Sequence, residues 1–439
     1  VLPSAKAAEA FISDLRFFRK PEHPPILYFP PYNILPFKFL AYHNETAARR
    51  IRTLYRMTAL DSPPFIVTTV DALLQKIVPR QELNGYAELV MVGEELDREA
   101  LVAKLNAGGY GRTAIVEEPG DYSVRGGILD VFAPLYPDPL RIELFGDVVE
   151  SLRFFSPVSQ RTSKTLGEAV ILPAREVILE KANLDAFIGR VRKRAGSLGL
   201  PVTQVRKLVE QIKQEGAFPG IESLISMIYP SLSLFFDYCP DNTVYLLAEP
   251  ADLEARADNL LAQAEENYQA AVGSGRFCVA PRDHYLDWRA VDRLLESRKV
   301  VTTRRLPVSR YAAEGARHPA PCAVVVENST HVNGLLRAAA DREQLLGSLL
   351  EWINTHRSAR QAVVLACETR LQAERLQALL SPYGVAPEIL EGFPDTTRLR
   401  GMVLICRGGL SEGFVWMDEG LALLTEKEIF GTARPRRKV

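Results

Sequence analysis

Nowhere among the 439 residues is there a GxxxxGK[ST] run, the glycine-rich loop that cradles nucleotide phosphates ahead of a helix. The nearest glycine cluster, Gly108-Gly-Tyr-Gly111, follows a helical pattern instead of preceding one, so it reads as a helix stop. Cysteine is sparse. Cys239, Cys278, Cys322, Cys367 and Cys406 are odd in number and form no CxxC pair, so neither a disulfide framework nor a zinc site is indicated. The six histidines, among them His23, His43 and His284, are equally scattered. No apolar run approaches the roughly 20 residues of a membrane span, and the amino end lacks a signal-peptide pattern. A basic surplus is missing as well. With 53 Lys and Arg against 54 Asp and Glu, the whole chain lacks the footprint of a dedicated nucleic-acid binder. A reducing, cytoplasmic setting and a soluble monomer are expected.

What is present is concentrated in Gly120–Phe155. In Leu140-Arg-Ile-Glu-Leu-Phe145 a period of two sends Leu140, Ile142 and Leu144 to one face and Arg141, Glu143 and Phe145 to the other. The first set is a core face. The second places an arginine, a glutamate and a large aromatic side by side. Gly146-Asp147 reads as a turn into a strand from Val148 to Phe155. Upstream, Val124–Phe132 reads as one more strand, with Gly126 and Gly127 allowing close approach of a neighbouring backbone. Two readings fit: a small sheet with one solvated face, or a docking face, since arginine and aromatic residues dominate interface hot spots. The pattern alone leans slightly to the first.

Strand and helix patterns divide the chain. Residues 1–87 alternate strand and helix and predict an α/β domain that lacks its opening strand-loop-helix. Residues 88–171 predict a small α+β unit, with Asp97 capping a helix that stops at Gly108-Gly109. Residues 172–310 are mostly helical around the strand Thr243–Leu247, with a long helix from about Ala251 to Ala271. A polar linker occupies 311–321. Residues 322–431 alternate again and predict a second α/β domain. Residues 432–439 begin a basic linker.

The run Tyr122-Ser-Val-Arg-Gly-Gly-Ile-Leu-Asp-Val-Phe132 followed by Arg141-Ile-Glu-Leu-Phe145 resembles the UvrB-homologous module of bacterial transcription-repair coupling factors. The likeness continues in Ser156–Thr162, Ile171–Ala174, Gly220-Ile-Glu222 and Leu423–Gly431, in family order over nearly the whole chain. Ser156 stands where the family usually has aspartate. The resemblance implies a degenerate helicase-like (RecA-like) α/β domain interrupted by a small α+β UvrA-binding domain, then a separate α/β domain. It carries the family's UvrA-contacting positions onto Arg125, Arg141 and Phe145. It implies a non-catalytic scaffold that recruits UvrA in transcription-coupled nucleotide excision repair. An ATP-driven translocase using ATP and magnesium, and contacts to RNA polymerase and double-stranded DNA, would belong to the remainder of the protein. No cofactor is expected for this chain.

Measured against UvrB, the strand Thr243–Leu247 should end in an acidic magnesium-binding element. It ends in Ala248-Glu249-Pro250 instead, and alanine cannot hold a metal. Glu249 is expected as a first-turn residue complementing the helix dipole. The stretch Tyr32–Tyr42 is too short for a strand-inserting hairpin and is read as a packed surface loop. Two alternatives set against the scaffold reading are a UvrB-like ATP-dependent damage-verification protein and a DNA-binding module. The second would work through Arg190, Arg192, Lys193 and Arg194, a run more commonly a solvated helical face.

Overall fold

The computed structural model describes residues 1–32, 43–59, 64–215, 218, 220–305, 323–329, 334, 336, 341–394 and 399–431. The aromatic stretch beyond Tyr32, the 311–321 linker and the 432–439 tail fall outside the described residues. The chain forms two compact units, Val1–Ala8 with Leu27–Leu306 and Glu9–Ile26 with Pro307–Val439.

The first unit begins with a short backbone bridge. Leu2 N donates to Thr68 O and Val70 N to Leu2 O, both at 2.9 Å, which sets residue 2 beside strand β2 (Phe65–Thr68). That strand pairs with β1 (Ile26–Phe29). Phe29, Ile51 and Leu54 share one core with Phe187, Val191, Leu253, Ala257 and Leu260. The segments before residue 88 and after residue 171 therefore close around a single interior, as expected of one interrupted domain. At its centre lies an ion pair. Arg50 Nε donates to Glu176 Oε1 at 2.6 Å with both side chains almost fully buried, and the guanidinium lies 4.1 Å from the Phe29 ring centre.

The interrupting segment has a core of its own, built from Leu101, Leu105, Tyr122, Leu129, Leu140, Ile142 and Leu152 among others. Strand β3 (Glu88–Met91) leads to the helix Arg98–Ala107, capped by Asp97, whose carboxylate accepts from Ala100 N at 2.9 Å. The helix stops where expected. A Cβ on Gly108 would lie 2.1 Å from the Tyr86 hydroxyl, so only glycine fits there. Strands β4 (Gly111–Arg112), β5 (Asp121–Arg125), β6 (Ile128–Val131), β7 (Leu140–Phe145), β8 (Val148–Phe155) and β9 (Thr162–Leu166) then form one sheet in chain order. A final strand, β10 (Glu168–Ile171), returns antiparallel to β3 and closes the segment. Val124–Phe132 is thus not one strand. Gly126 adopts φ +60 and Gly126-Gly127 turns β5 into β6, because two glycines suit a tight hairpin better than a strand interior. The close approach expected of the glycines is real: a Cβ on Gly127 would meet Leu144 O at 2.6 Å.

Back in the first core, β11 (Val244–Ala248) pairs in parallel with β12 (Lys299–Thr303). Strand β12 leaves little mark in the sequence: Val300-Val-Thr-Thr303 is β-branched throughout, but its full exposure leaves no apolar alternation to detect. The helix Pro250–Gly273 follows β11, with proline at its start and Leu253, Ala257, Leu260 and Ala264 buried at three- and four-residue spacing.

The second unit contains a six-stranded mixed sheet of β13 (Glu327–Asn328), β14 (Ala362–Cys367), β15 (Glu388–Glu391), β16 (Val403–Arg407), β17 (Phe414–Trp416) and β18 (Leu421–Thr425), in the order 13-17-18-14-16-15. Every residue of β14 is buried because parallel strands need cover on both faces. Val363, Leu365 and Cys367 pack with Leu349, Ile353 and Leu376 from flanking helices. Ala362, Val364 and Ala366 pack with Phe17. This corrects the expected boundary of residues 1–87. The helix Ala5–Phe18 carries two phenylalanines onto the second sheet, where Phe17 and Phe18 lie 5.6 and 4.8 Å from Phe393, so residues 9–26 belong to that unit.

Candidate protein-docking face

Strand register assembles the polar face of the β4–β9 sheet. Pairing runs Ser123↔Asp130↔Arg141↔Arg153 across four strands, so these side chains form one row perpendicular to the chain. The adjacent row is Arg125↔Ile128↔Glu143↔Ser151. Leu140 and Ile142 are fully buried on the opposite face and Leu144 is half-buried there, as the alternation required. A bulge lies between β7 and β8: Glu143 opposes Ser151 while Leu144 opposes Val149, leaving Glu150 extra. Two residues apart, Val149 and Ser151 would share a face in a regular strand; the bulge separates them, so Val149 enters the core while Ser151 donates to Glu143 Oε2 at 2.5 Å.

The face is organised by Asp130, a residue outside the contact positions that the resemblance singles out. Asp130 is 1% exposed, and its carboxylate accepts from Arg141 Nε and Nη2 at 2.7 and 2.8 Å and from Arg125 Nη2 at 2.7 Å. The hydrogen bonds that Arg141 donates to Asp130 raise its pKa above the ordinary value. On its other side the Arg141 guanidinium lies 4.7 Å from the Phe155 ring centre, and Phe155 packs with Val116 and Phe132 in a small apolar cluster. The two arginines differ in exposure, 52% for the Arg125 side chain and 16% for Arg141. Arg153 extends the row, with Nη2 at 3.7 Å from Glu143. Alternation could have found Asp130, since it shares the parity of Ile128 in β6; pairing it with Arg141 needed the register.

Phe145 stands at the hairpin tip. It opposes Val148 across the turn Gly146-Asp147, where Gly146 adopts φ +63, and it is 80% exposed, with Val148 also exposed. Arg125, Arg141 and Phe145 therefore lie on one face, the arginines at a shared carboxylate and the aromatic at the sheet's end.

The end of β11, where the resemblance implies an acidic element, has a different chemistry. Ala248 offers no side-chain oxygen. Glu249 is the residue before the helix and not part of its first turn: it adopts φ +52, and Pro250 crowds the right-handed helical conformation at the position before it. Its carboxylate accepts from Arg305 N at 2.6 Å and makes no capping bond to the helix. Alanine and a carboxylate already tied to backbone do not fit a magnesium site. Among the described residues no group of three or more His, Cys, Asp or Glu side chains could hold a metal ion. No helix of the described residues is long and apolar enough to cross a membrane.

The basic run is only half solvated. Arg190 donates to the carbonyls of Met227 and Ile228, and Arg194 to Cys278 O at 3.1 Å and Tyr268 Oη at 2.9 Å. Arg192 and Lys193 are exposed.

The arginine pair and the exposed aromatic lie on one sheet of a segment inserted into a larger fold, and that segment is similar to a known interaction domain. Residues 89–177 match the UvrB interaction domain family, and residues 356–429 match the family described as MFD, D3 domain. The chain is 31% identical to the transcription-repair-coupling factor of Myxococcus xanthus over 99% of its own length and 37% of the relative's. It is 28% identical to that of Escherichia coli K12 over 93% of the chain, and 24% identical to that of Bacillus subtilis 168 over 92%. Along nearly its whole length the chain is similar to transcription-repair-coupling factors, and it spans about a third of the length of the curated relatives it matches.

Several runs that carry the resemblance are scaffold. In Leu423–Gly431, Thr425 caps the helix Glu426–Phe430 while Glu428 accepts from Thr425 N at 2.8 Å and from Gly413 N at 2.9 Å. In Gly220-Ile-Glu222, the glycine adopts φ +90 and Glu222 pairs with Arg175 at 2.5 Å, directly after the Ile171–Ala174 run.

Proposed function

We propose that the chain is the recruiting part of a transcription-repair coupling factor, and that residues 88–171 dock UvrA through Arg125, Arg141 and Phe145. The observation that carries this is the geometry of one face: two guanidiniums held on Asp130 within reach of solvent, and Phe145 standing 80% exposed at the tip of the same strand as Arg141. Arginine supplies charge-assisted hydrogen bonds to carboxylates, and an exposed phenylalanine is costly in water until a pocket takes it. The chain turns over no nucleotide, since neither Ala248 nor the engaged Glu249 is suited to magnesium. The complete protein would add an ATP-driven DNA translocase, with ATP and magnesium, and contacts to RNA polymerase and double-stranded DNA in the cytoplasm. The test is UvrA affinity of the chain and of Phe145→Ala at matched folding. A weakening of about thirtyfold supports the docking face; unchanged affinity removes it.

A further inference from the structure

The geometry points to Asp130 as the positioning residue of this face: a buried carboxylate that holds Arg125 and Arg141 in register for a carboxylate-bearing partner surface. The inference rests on the docking reading of the face. An arginine on a solvated sheet samples many rotamers, and binding must freeze them. Here the freezing is done beforehand. Asp130 takes both Nε and Nη2 of Arg141, the planar bidentate geometry that fixes a guanidinium in two directions, and Phe155 lies 4.7 Å from its centre. The same carboxylate takes Nη2 of Arg125 across the β5–β6 hairpin. Asp130 is itself immobile, 1% exposed in a strand paired on both sides.

The charge balance favours the same role. Two guanidiniums and one carboxylate leave a net positive cluster, and the exposed member of each pair is the arginine. A partner therefore meets cation, with the compensating anion underneath. Arg141 Nη1 and the far side of Arg125 are oriented away from Asp130, which leaves donors for an incoming carboxylate. Glu143 and Arg153 form a looser pair in the next positions, at 3.7 Å, and Arg153 is 41% exposed. The surface that fits is acidic, with an apolar recess spaced to receive Phe145.

Two readouts test the role, both on the full 439-residue chain. In 15N-arginine spectra, Nε–H of Arg141 should exchange slowly with water at neutral pH. It should become fast in Asp130→Asn while the backbone amide pattern of residues 88–171 is kept. Slow exchange surviving in Asp130→Asn overturns the positioning role whatever UvrA does. In the second readout, Asp130→Asn should weaken UvrA binding about tenfold, the cost of ordering two arginines at the moment of contact. Asp130→Glu should recover part of that loss. Combined with Phe145→Ala the losses should add, and combined with Arg125→Ala they should fall short of additive, because the second pair shares one cluster. Equal or tighter binding by Asp130→Asn, or full additivity with Arg125→Ala, refutes the inference and leaves the docking reading standing. Indifference of UvrA to Phe145→Ala would take both away.

Discussion

Two arginine–carboxylate clusters in the first unit use the same groups to opposite ends. At Arg50–Glu176 both partners are buried, and Glu176 also accepts from Tyr32 Oη at 3.0 Å and Val78 N at 3.2 Å. At Asp130 only the carboxylate is buried, and its arginines reach solvent. The first cluster ties segments from residues 30, 50, 78 and 176 into one interior. The second presents charge outward. The lesson is that burial of the cation decides between scaffold and surface: a dry guanidinium has spent its donors on its own fold, whereas a half-exposed one can still bind.

The comparison can be broken most strongly at the closed cluster. Glu176→Gln should destabilise the first unit by about 3–5 kcal/mol, since it strands a buried arginine charge. Urea unfolding of the chain would show it, and a change below about 1 kcal/mol would mean that the pair is not structural. Acid should attack the same core. Burial lowers the His284 pKa from 6.5 to about 4, so the folded state holds that imidazole neutral. Its contribution is fully present above pH 6.5 and is lost as pH falls from 6.5 toward about 4, because the unfolded chain binds the extra proton first. Melting temperature followed over that window should fall more steeply in the native chain than in His284→Gln, and parallel curves would contradict the assignment.

At the open cluster the effects shift from folding to binding. Phe145→Ala should cost about 2 kcal/mol of UvrA affinity and, being at an exposed tip, less than about 0.5 kcal/mol of stability. A marked loss of melting temperature would place Phe145 in the core and undo the contrast. Arg125→Ala should be gentler on the fold than Arg141→Ala, about 1 kcal/mol or less, because Arg141 would leave the buried Asp130 with one partner and expose Phe155. Although Arg141 lies on the polar face of β7, its bidentate contact to Asp130 gives it a share in the fold. Comparing the melting temperatures of the two variants decides the order.

How far the sequence could be read followed from the range of the interactions involved. The faces of β7, the turn at Gly146, the cap at Asp97, the stop at Gly108 and the long helix near Ala251 were all legible. Each depends on residues a few positions apart: alternation, a glycine at positive φ, a side chain reaching the third backbone N–H. That Ala248 carries no side-chain oxygen was equally plain, since a missing atom needs no geometry. Only the tertiary structure decided what Arg141 touches. Asp130 lies 11 residues away, and it meets Arg141 because the Gly126-Gly127 turn splits what reads as one strand and sets the register of β6 on β7. The same holds for the helix Ala5–Phe18. Phe17 is buried there, but nothing in the helix names the sheet that receives the ring, which comes more than 340 residues later, because apolar burial carries no address. Periodicity in this chain determined which side of each element seeks the interior; strand register and long-range packing determined against what.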